Sequence, residues 1–190
     1  MIAGVDEAGR GPLIGSVFAA AVILPSDFNL PYLNDSKKLS EKRRDVLAEQ
    51  IKEQAISFAV ASANVAEIAE LNILHAAMLA MKRAVLGLNR QPEKVLIDGN
   101  RIPPDLPYPA SAVIGGDALY PSIMAASILA KTVRDKEMYD LDAQFPQYGF
   151  AKHKGYGTKL HLQAIEKYGI LPEHRQDFAP IKKWLDKQSR

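Results

Sequence analysis

Apolar runs alternate along the chain with stretches in which apolar residues recur every three or four positions. Short runs that are apolar, or that alternate apolar with small residues, predict β-strands. They cover residues 2–5, 17–24, 57–63, 94–98 and 112–115. The three- and four-residue spacing predicts helices over residues 40–55, 66–88, 121–138 and 158–168. Strands come first and then alternate with helices, which is typical of an α/β fold with a mixed sheet.

The C-terminal part differs from the rest of the chain in charge. Residues 150–190 hold nine lysines and arginines against four acids, so this segment carries +5 and residues 1–149 carry −3. We therefore predict a main domain over 1–149 and a basic helical subdomain over 150–190. Segregated positive charge is compatible with binding a polyanion, and a solvated helix face is an equal explanation.

The composition is that of one ordinary globular domain, and it narrows the chemistry. The 190 residues are 47% hydrophobic and 24% charged. The absence of cysteine excludes disulfides, thiolate metal sites and a cysteine nucleophile. The apolar run at 16–24 is too short to span a bilayer, and acidic residues precede it instead of a basic signal-peptide segment. We expect no membrane association and a cytoplasmic location.

Acidic side chains follow three of the predicted strands. Asp6 and Glu7 follow the first strand, Asp98 ends the fourth, and Asp117 follows the fifth. An acid at one strand end is usually a turn or cap residue, but three such ends on neighbouring strands would meet at one rim of the sheet. Carboxylates so close together repel one another, and this repulsion raises their pKa values. Hard divalent cations relieve that repulsion, so the pattern predicts a site for two Mg²⁺ or Mn²⁺ ions, an arrangement suited to phosphodiester hydrolysis.

The segment after the first acids contains Gly9, Arg10 and Gly11. Adjacent strand residues point to opposite faces, so we expect the strand to end at the two acids and the chain to turn there. Glycines let a backbone approach a ligand closely, and an arginine can fork onto a phosphate; a plain turn is the alternative. A dinucleotide-binding fingerprint is excluded because Pro12 follows and the third glycine, Gly15, comes one place late.

Six segments together resemble the ribonuclease HII family of bacteria, the type 2 ribonucleases H. They are residues 4–12, 34–39, 97–100, 116–117, 125–131 and 153–158. The sister family, ribonuclease HIII, resembles the chain less because it typically has a glutamate where Asp117 stands. The resemblance covers nearly the whole chain in order, and the combination of segments is specific although no single one is.

The resemblance implies a ribonuclease H-like fold: a mixed β-sheet flanked by helices, with a small helical C-terminal subdomain. It implies an endoribonuclease that cleaves RNA in RNA–DNA hybrids and cuts 5′ of single ribonucleotides embedded in duplex DNA. The expected reaction is two-metal-ion hydrolysis that leaves a 5′-phosphate and a 3′-hydroxyl. The acidic quartet of the family falls on Asp6, Glu7, Asp98 and Asp117.

Substrate contacts also follow from the resemblance. Backbone groups of Gly9, Arg10 and Gly11 would report the 2′-hydroxyl, which alone distinguishes RNA from DNA at a given residue. Tyr156, between two glycines, would sense the junction by laying its ring on a sugar or base. Ordinary packing is the alternative for this tyrosine.

Other polar residues are weaker candidates. Lys37 and Lys38 precede a helix and are candidates for phosphate contact. Ser127, Lys131 and Arg134 form a polar stripe on an apolar helix, which serves phosphate contact or helix solubility equally well. Asp135 is expected either to support the metal site or to form an ion pair. His153 and His161 are expected at the surface or beside phosphate.

Two other functions stay open. A ribonuclease H-like nuclease acting on DNA junctions would share the carboxylates but need no 2′-hydroxyl sensor. A non-catalytic hybrid-binding module would bind without cleaving, although four uncompensated acids would repel DNA. The expected partners are RNA–DNA hybrids and duplexes that contain ribonucleotides. We expect a monomer, and a replication clamp is a candidate partner that the sequence does not establish.

Overall fold

A computed structural model describes all 190 residues. Its centre is a five-stranded sheet with the strand order β3-β2-β1-β4-β5. The strands are β1 Ile2–Ala8, β2 Val17–Ile23, β3 Ser57–Ala63, β4 Lys94–Asp98 and β5 Ala110–Val113. β1, β2 and β3 pair antiparallel, whereas β1, β4 and β5 pair parallel. The carboxyl ends of β1, β4 and β5 therefore lie at one edge of the sheet.

Seven α-helices accompany the sheet. They are α1 Glu41–Gln54, α2 Val65–Leu86, α3 Gly116–Leu119, α4 Pro121–Gln144, α5 Phe150–His153, α6 Lys159–Tyr168 and α7 Ala179–Gln188. Short 3₁₀ turns at Ser36–Lys38 and Pro146–Tyr148 complete the elements. The mixed sheet flanked by helices confirms the predicted fold class.

Side-chain caps begin three of the α-helices, and two of these caps, Ser40 and Thr158, were predicted from the sequence. The hydroxyl of Ser40 accepts from the backbone N–H of Arg43, and the hydroxyl of Thr158 accepts from that of His161. Asn64 forms a capping box with Glu67 at the start of α2. Each cap satisfies a backbone donor that the first helical turn leaves without a partner.

The two faces of the sheet are covered by different helices. Alternate residues of β2, among them Ala19 and Ala21, pack against α2, whereas Ala20 and Val22 pack against α1 and α4. Gly4 of β1 allows the closest of these approaches, because a Cβ there would lie 2.2 Å from the backbone of Ser122. The sheet thus forms the middle of a three-layer core, and α4 lies directly over the central strand.

Three elements differ from their predicted bounds. β1 continues through Glu7 to Ala8, because both residues pair with β2, opposite Ala19 and Phe18. β5 ends at Val113, so Asp117 lies in the four-residue helix α3 and not directly behind a strand. α4 runs to Gln144, six residues beyond its predicted end at 138.

Residues after 150 pack against an early loop of the chain. Phe150 and Tyr148 share a buried cluster with Ile14, and Ile14 forms a β-bridge with His174. The division of the chain at residue 150 stays a prediction. No helix is long and apolar enough to cross a membrane.

Candidate active site

Three aspartates meet at the carboxyl edge of the parallel strands. Asp6 of β1, Asp98 of β4 and Asp117 of α3 each offer a carboxylate oxygen, and these oxygens lie within 4.8 Å of one another. The backbone N–H of Asp117 donates to Oδ1 of Asp98 at 3.1 Å, which fixes α3 against the end of β4. Asp6 and Asp117 are buried, with 5% and 8% of their surfaces exposed. We call these three residues the acidic rim.

The acidic rim is electrostatically strained. Burial raises the pKa of Asp6 well above its ordinary value, and the charges of Glu7 and Asp98 raise it further. Burial also raises the pKa of Asp98. The nearest cation is Lys37, whose Nζ lies 3.5 Å from Oδ2 of Asp117. One exposed lysine does not neutralise three carboxylates, and the clustered hard oxygen donors fit a divalent cation such as Mg²⁺ or Mn²⁺.

Glu7 lies beside the acidic rim and lines the same cavity as Asp6 and Asp98. The prediction that the strand ends at the two acids is wrong, since β1 runs on to Ala8. Glu7 is not part of the three-carboxylate group and borders a second cavity on the α2 side together with Met78. Its Oε1 lies 3.6 Å from the guanidinium of Arg10. Its charge still acts on Asp6, so Glu7 flanks the rim; its predicted role as a metal ligand stays a prediction.

A cavity of about 400 Å³ opens beside the acidic rim. It brings together ten of the residues predicted from the sequence: Asp6, Glu7, Gly9, Arg10, Gly11, Lys37, Asp98, Ser127, Lys131 and Tyr156. Asp117 joins them through the acidic rim. Lys38 is exposed and does not line the cavity. The structure thus gathers acids, a glycine-rich loop and cations around one opening.

The loop at residues 9–12, which we call the reading loop, forms one wall of this cavity. Gly9 has φ of 92°, a left-handed conformation that favours glycine. A Cβ on Gly11 would lie 3.1 Å from Cε1 of Tyr156, so the tyrosine ring rests against the loop where a side chain would otherwise project. Tyr156 is 47% exposed. Loop backbone and tyrosine ring therefore present one continuous surface.

A buried arginine that the sequence reasoning missed holds this loop. Arg175 is fully buried and donates to the carbonyl oxygens of Gly9, Arg10 and Pro12 at 2.6, 3.0 and 2.8 Å. It also donates to Gly15 and Ser16 at 2.9 and 3.2 Å. Burial, followed by the charge of nearby Arg134, lowers the pKa of Arg175 to about 9. The guanidinium therefore still carries its charge at neutral pH.

Arg134 of the polar stripe is bonded within the protein, although it also reaches the wall of the cavity. Its guanidinium is buried and donates to the carbonyls of Ile14 and Ser16 at 2.8 and 3.3 Å, and it pairs with Glu137. Its neighbours on the stripe bond within the protein. The hydroxyls of Ser127 and Ser36 lie 2.7 Å apart, and Lys131 pairs with Asp135 at 2.9 Å.

Asp135 forms the ion pairs that the sequence analysis gave as one alternative. Besides Lys131, it meets Nη2 of Arg44 at 3.3 Å, and it is not part of the three-carboxylate group. Arg44 also donates to the carbonyls of Ser36 and Leu39. This network fixes the turn that carries Lys37 against α4.

The expectation that His153 and His161 lie at the surface is wrong, because both are buried together with His174. Leu171 N–H donates to Nδ1 of His174, so the proton of His174 is on Nε2, which lies 3.0 Å from Nε2 of His161. His161 therefore accepts there and donates from Nδ1 to the Tyr156 carbonyl at 2.9 Å. We call the three residues the histidine trio.

The trio fixes the backbone on both sides of Tyr156. His153 accepts from Gly155 N–H through Nδ1 and contacts the Tyr148 carbonyl through Nε2. Burial lowers the pKa of His161 to about 4, and burial with the His161 charge lowers that of His174 to about 3. The hydrogen bond between His161 and His174 requires His161 to be neutral. A second proton, on Nε2 of His161, would lie against the proton on Nε2 of His174. The only sequence signal was three histidines within 22 positions of one another.

Comparison with known proteins decides the family. A family model described as Ribonuclease HII matches residues 3–181. The chain belongs to the ribonuclease HII family. Ribonuclease HII of Neisseria meningitidis serogroup A is 67% identical over 189 residues, covering all of this chain and 97% of that protein. Ribonuclease HII of Shewanella amazonensis is 56% identical over 188 residues, covering 99% of this chain and 91% of that protein.

Solved structures share the fold over the whole chain. The ribonuclease H2 of Pyrococcus horikoshii superposes with a TM-score of 0.84 at 25% identity and covers 100% of this chain and 99% of its own. The ribonuclease HII of Archaeoglobus fulgidus, solved in a complex with PCNA, has a TM-score of 0.76 at 26% identity, covering 97% and 96%. A Bst ribonuclease HIII solved with Mn²⁺ has a TM-score of 0.73 at 20% identity, covering 100% and 70%.

The family membership establishes the coarse activity. As a ribonuclease HII the protein is an endoribonuclease that acts on RNA–DNA hybrids, which confirms the predicted enzyme class. The acidic rim and the reading loop described above are the features of this chain that bear on how it does so.

Proposed function

We propose that this enzyme cleaves RNA–DNA hybrids, and duplex DNA 5′ of a single embedded ribonucleotide, by two-metal-ion hydrolysis that leaves 5′-phosphate and 3′-hydroxyl ends. The observation that carries the proposal is the convergence of the acidic rim and the reading loop on one cavity. A scissile phosphate at the rim then has its ribose within reach of the loop.

The carboxylates of the acidic rim would hold the divalent cations, and Glu7 flanks them. Such ions supply activation of the attacking water and stabilisation of the leaving 3′-oxygen. The protein residues contribute a site whose rigidity comes from parallel strand pairing and from the Asp117 N–H bond to Asp98. Asp6 lines the cavity with only 5% of its surface exposed.

The wall of the cavity formed by the reading loop and Tyr156 would recognise the ribonucleotide. Backbone groups of Gly9, Arg10 and Gly11 can meet a 2′-hydroxyl without reading the base. The half-exposed ring of Tyr156 is placed to stack on the sugar or base at the junction. Lys37 and Lys131 add positive charge beside the cavity for the phosphate backbone.

The test is a duplex with one ribonucleotide, labelled at each strand end and incubated with Mg²⁺, Mn²⁺ or chelator. We expect one cut 5′ of the ribonucleotide, with 5′-phosphate and 3′-hydroxyl ends, only when a divalent ion is present. Asp6→Asn abolishes the cut, and Asp27→Asn at an exposed site leaves it unchanged. Cleavage of an all-DNA junction with the ribonucleotide spared would favour the junction nuclease, and binding without any cleavage would favour the binding module.

A sliding clamp is proposed as a partner on the likeness to the archaeal relative solved with PCNA. Co-elution of the protein with a bacterial clamp in size-exclusion chromatography would support it, and separate elution at micromolar concentrations would contradict it. The same elution volume tests the prediction that the protein is a monomer. The cytoplasmic location stays a prediction.

A further inference from the structure

Three of the four carbonyl groups of the reading loop turn towards one side. The carbonyls of Gly9, Arg10 and Pro12 converge on the guanidinium of Arg175. In a planar trans peptide, each carbonyl and the N–H of the next residue point in opposite directions. The three N–H groups of Arg10, Gly11 and Leu13 are therefore turned away from Arg175.

Two of these three N–H groups have no partner in the protein. Leu13 N–H donates to the carbonyl of Gly155 at 2.9 Å. The N–H groups of Arg10 and Gly11 donate to no backbone or side-chain acceptor, and both residues line the cavity beside the acidic rim. Adjacent donors left free at a cavity wall form a ready-made site for an oxygen acceptor.

We propose that Arg175 is a positioning residue that turns the N–H groups of Arg10 and Gly11 into the cavity and thereby sets the discrimination for a 2′-hydroxyl. This inference deepens the proposed function and rests on it. Arg175 reaches Gly9 across 166 positions of the chain and lies behind the loop, out of contact with the cavity. It acts through the loop and not on the substrate.

Only a guanidinium suits this position. Its five donors lie in one plane and here reach five carbonyls from Gly9 to Ser16. A lysine ammonium has three donors on a single atom, so at least two carbonyls would lose their partner. A peptide of the loop could then rotate and present a carbonyl where an N–H should stand.

The experiment compares wild type with Arg175→Lys in two assays. In chelator, equilibrium affinity is measured for a duplex with one ribonucleotide and for the same duplex made only of DNA. With Mg²⁺, kcat/KM is measured on the ribonucleotide duplex. Arg83→Lys is the control, because Arg83 pairs with Glu67 on α2, away from the cavity. Thermal unfolding of each variant establishes that it is folded at the assay temperature.

We expect Arg175→Lys to bring the ratio of the two affinities towards one and to lower kcat/KM by about 100-fold, the effect of a misplaced recognition group. Arg83→Lys keeps the wild-type values. A folded Arg175→Lys with the wild-type ratio and kcat/KM overturns the proposal, as does an equal loss of both affinities with the ratio kept. A wild-type ratio of one with no cleavage overturns the proposed function as well, so the two failures are distinguishable.

A measurement on wild type covers the case in which Arg175→Lys does not fold. The amide resonances of Arg10 and Gly11 are followed by NMR in chelator while either duplex is added. A larger shift of both amides with the ribonucleotide duplex supports the proposal. Equal shifts with the two duplexes overturn it.

Discussion

The acidic rim and the reading loop line one cavity but are built in opposite ways. The rim is assembled by parallel strands, and its side chains repel one another, so the pKa of Asp6 is raised. The loop has no regular structure, yet three of its four carbonyls accept hydrogen bonds from Arg175, and Arg134 bonds to the carbonyls of Ile14 and Ser16 that follow it. The rim is geometrically fixed and its carboxylates repel one another, whereas the loop is irregular and its carbonyls are hydrogen-bonded. The cost behind the loop falls on the two buried arginines, since burial and then the charge of Arg134 lower the pKa of Arg175.

This difference separates two tasks that a nuclease of this family must combine. Repulsion between the carboxylates of the rim is useful because a divalent cation relieves it. The repulsion therefore favours binding of the cation that catalysis requires. Strain at the loop would be harmful, because a recognition surface must hold its donors in place before the substrate arrives. Variants that act on one region and not the other test the contrast.

The largest effect is expected at the rim. Asp6→Asn removes a charged ligand, so cleavage falls by about 10³-fold or more, the value of several kcal/mol of charge stabilisation. The same change removes repulsion with Glu7 and Asp98, so without divalent ions the protein becomes more stable at pH 7. The melting temperature rises by about 2–4 °C for each kcal/mol relieved. Assays of cleavage and of unfolding in chelator measure the two effects.

Asp27→Asn is the matched control, because Asp27 is exposed and has no ion pair. It leaves cleavage and melting temperature unchanged. An Asp6→Asn protein that is less stable than wild type in chelator would show that the rim is not strained.

The next effect concerns the tyrosine beside the loop. Tyr156→Ala removes a stacking surface worth about 1–3 kcal/mol, so affinity for the ribonucleotide duplex falls by roughly 5- to 150-fold. Tyr156→Phe keeps the ring and most of the affinity. Tyr168→Ala, which removes another half-exposed ring, is the control. A Phe variant as weak as the Ala variant would assign the effect to the hydroxyl and not to stacking.

Acid should change the stability contributions of the histidine trio and of the acidic rim with opposite signs. His161 and His174 have folded-state pKa values of about 4 and 3, below the unfolded value of about 6.5, so the unfolded state binds more protons between these values. Their contribution to stability is complete above pH 6.5 and falls by about 2 kcal/mol each by pH 5. Asp6, with its raised pKa, has the opposite dependence.

Comparing variants separates these contributions. Urea unfolding of a His161→Gln, His174→Gln double variant between pH 7 and 5 is expected to show a smaller acid loss than wild type, with the remainder due to His153, whose pKa burial also lowers. His75→Gln, at an exposed position of α2, keeps the wild-type dependence. A double variant with the wild-type slope would mean that the trio does not carry the effect.

The smallest effect is expected at the lysines before α1. If Lys37 and Lys38 each contact one phosphate, replacement of either by alanine reduces the slope of log affinity against log salt by about 0.9. Lys94→Ala is the control, because Lys94 begins β4, at the end opposite Asp98. Fluorescence anisotropy in chelator over a range of salt concentrations measures the slopes. Unchanged slopes would leave these lysines as surface charges.

The contrast also explains what the sequence could and could not predict. Strand ends are local signals, so Asp6, Asp98 and Asp117 could be placed at one rim once the strands were assumed to be neighbours, although Asp117 reaches the rim from α3. The end of β1 could not, because Glu7 and Ala8 stay in the sheet only through pairing with β2. Helix caps such as Ser40 are local and were predicted, since the cap and its partner are three residues apart.

The supports of the loop depend on distant partners. Arg175 and Arg134 resemble ordinary surface charges in the sequence, and their carbonyl acceptors belong to a loop more than 100 positions away. The histidine trio is invisible for the same reason, because its burial depends on Phe150 and Tyr148 packing around it. The composition predicts a basic C-terminal segment, but only the fold shows which of its lysine and arginine side chains are buried.

The position of Arg175 late in the chain bears on how the enzyme is made. During synthesis the strands that carry the acids leave the ribosome well before the arginine that supports residues 9–16. If the rim binds cations and Arg175 sets the discrimination, as proposed, a nascent or truncated chain would bind cations before it could distinguish RNA from DNA. We expect a fragment of residues 1–170 to lose selectivity before it loses its carboxylate site, and cation titrations of such a fragment, with duplex binding alongside, would contradict this if both were lost together.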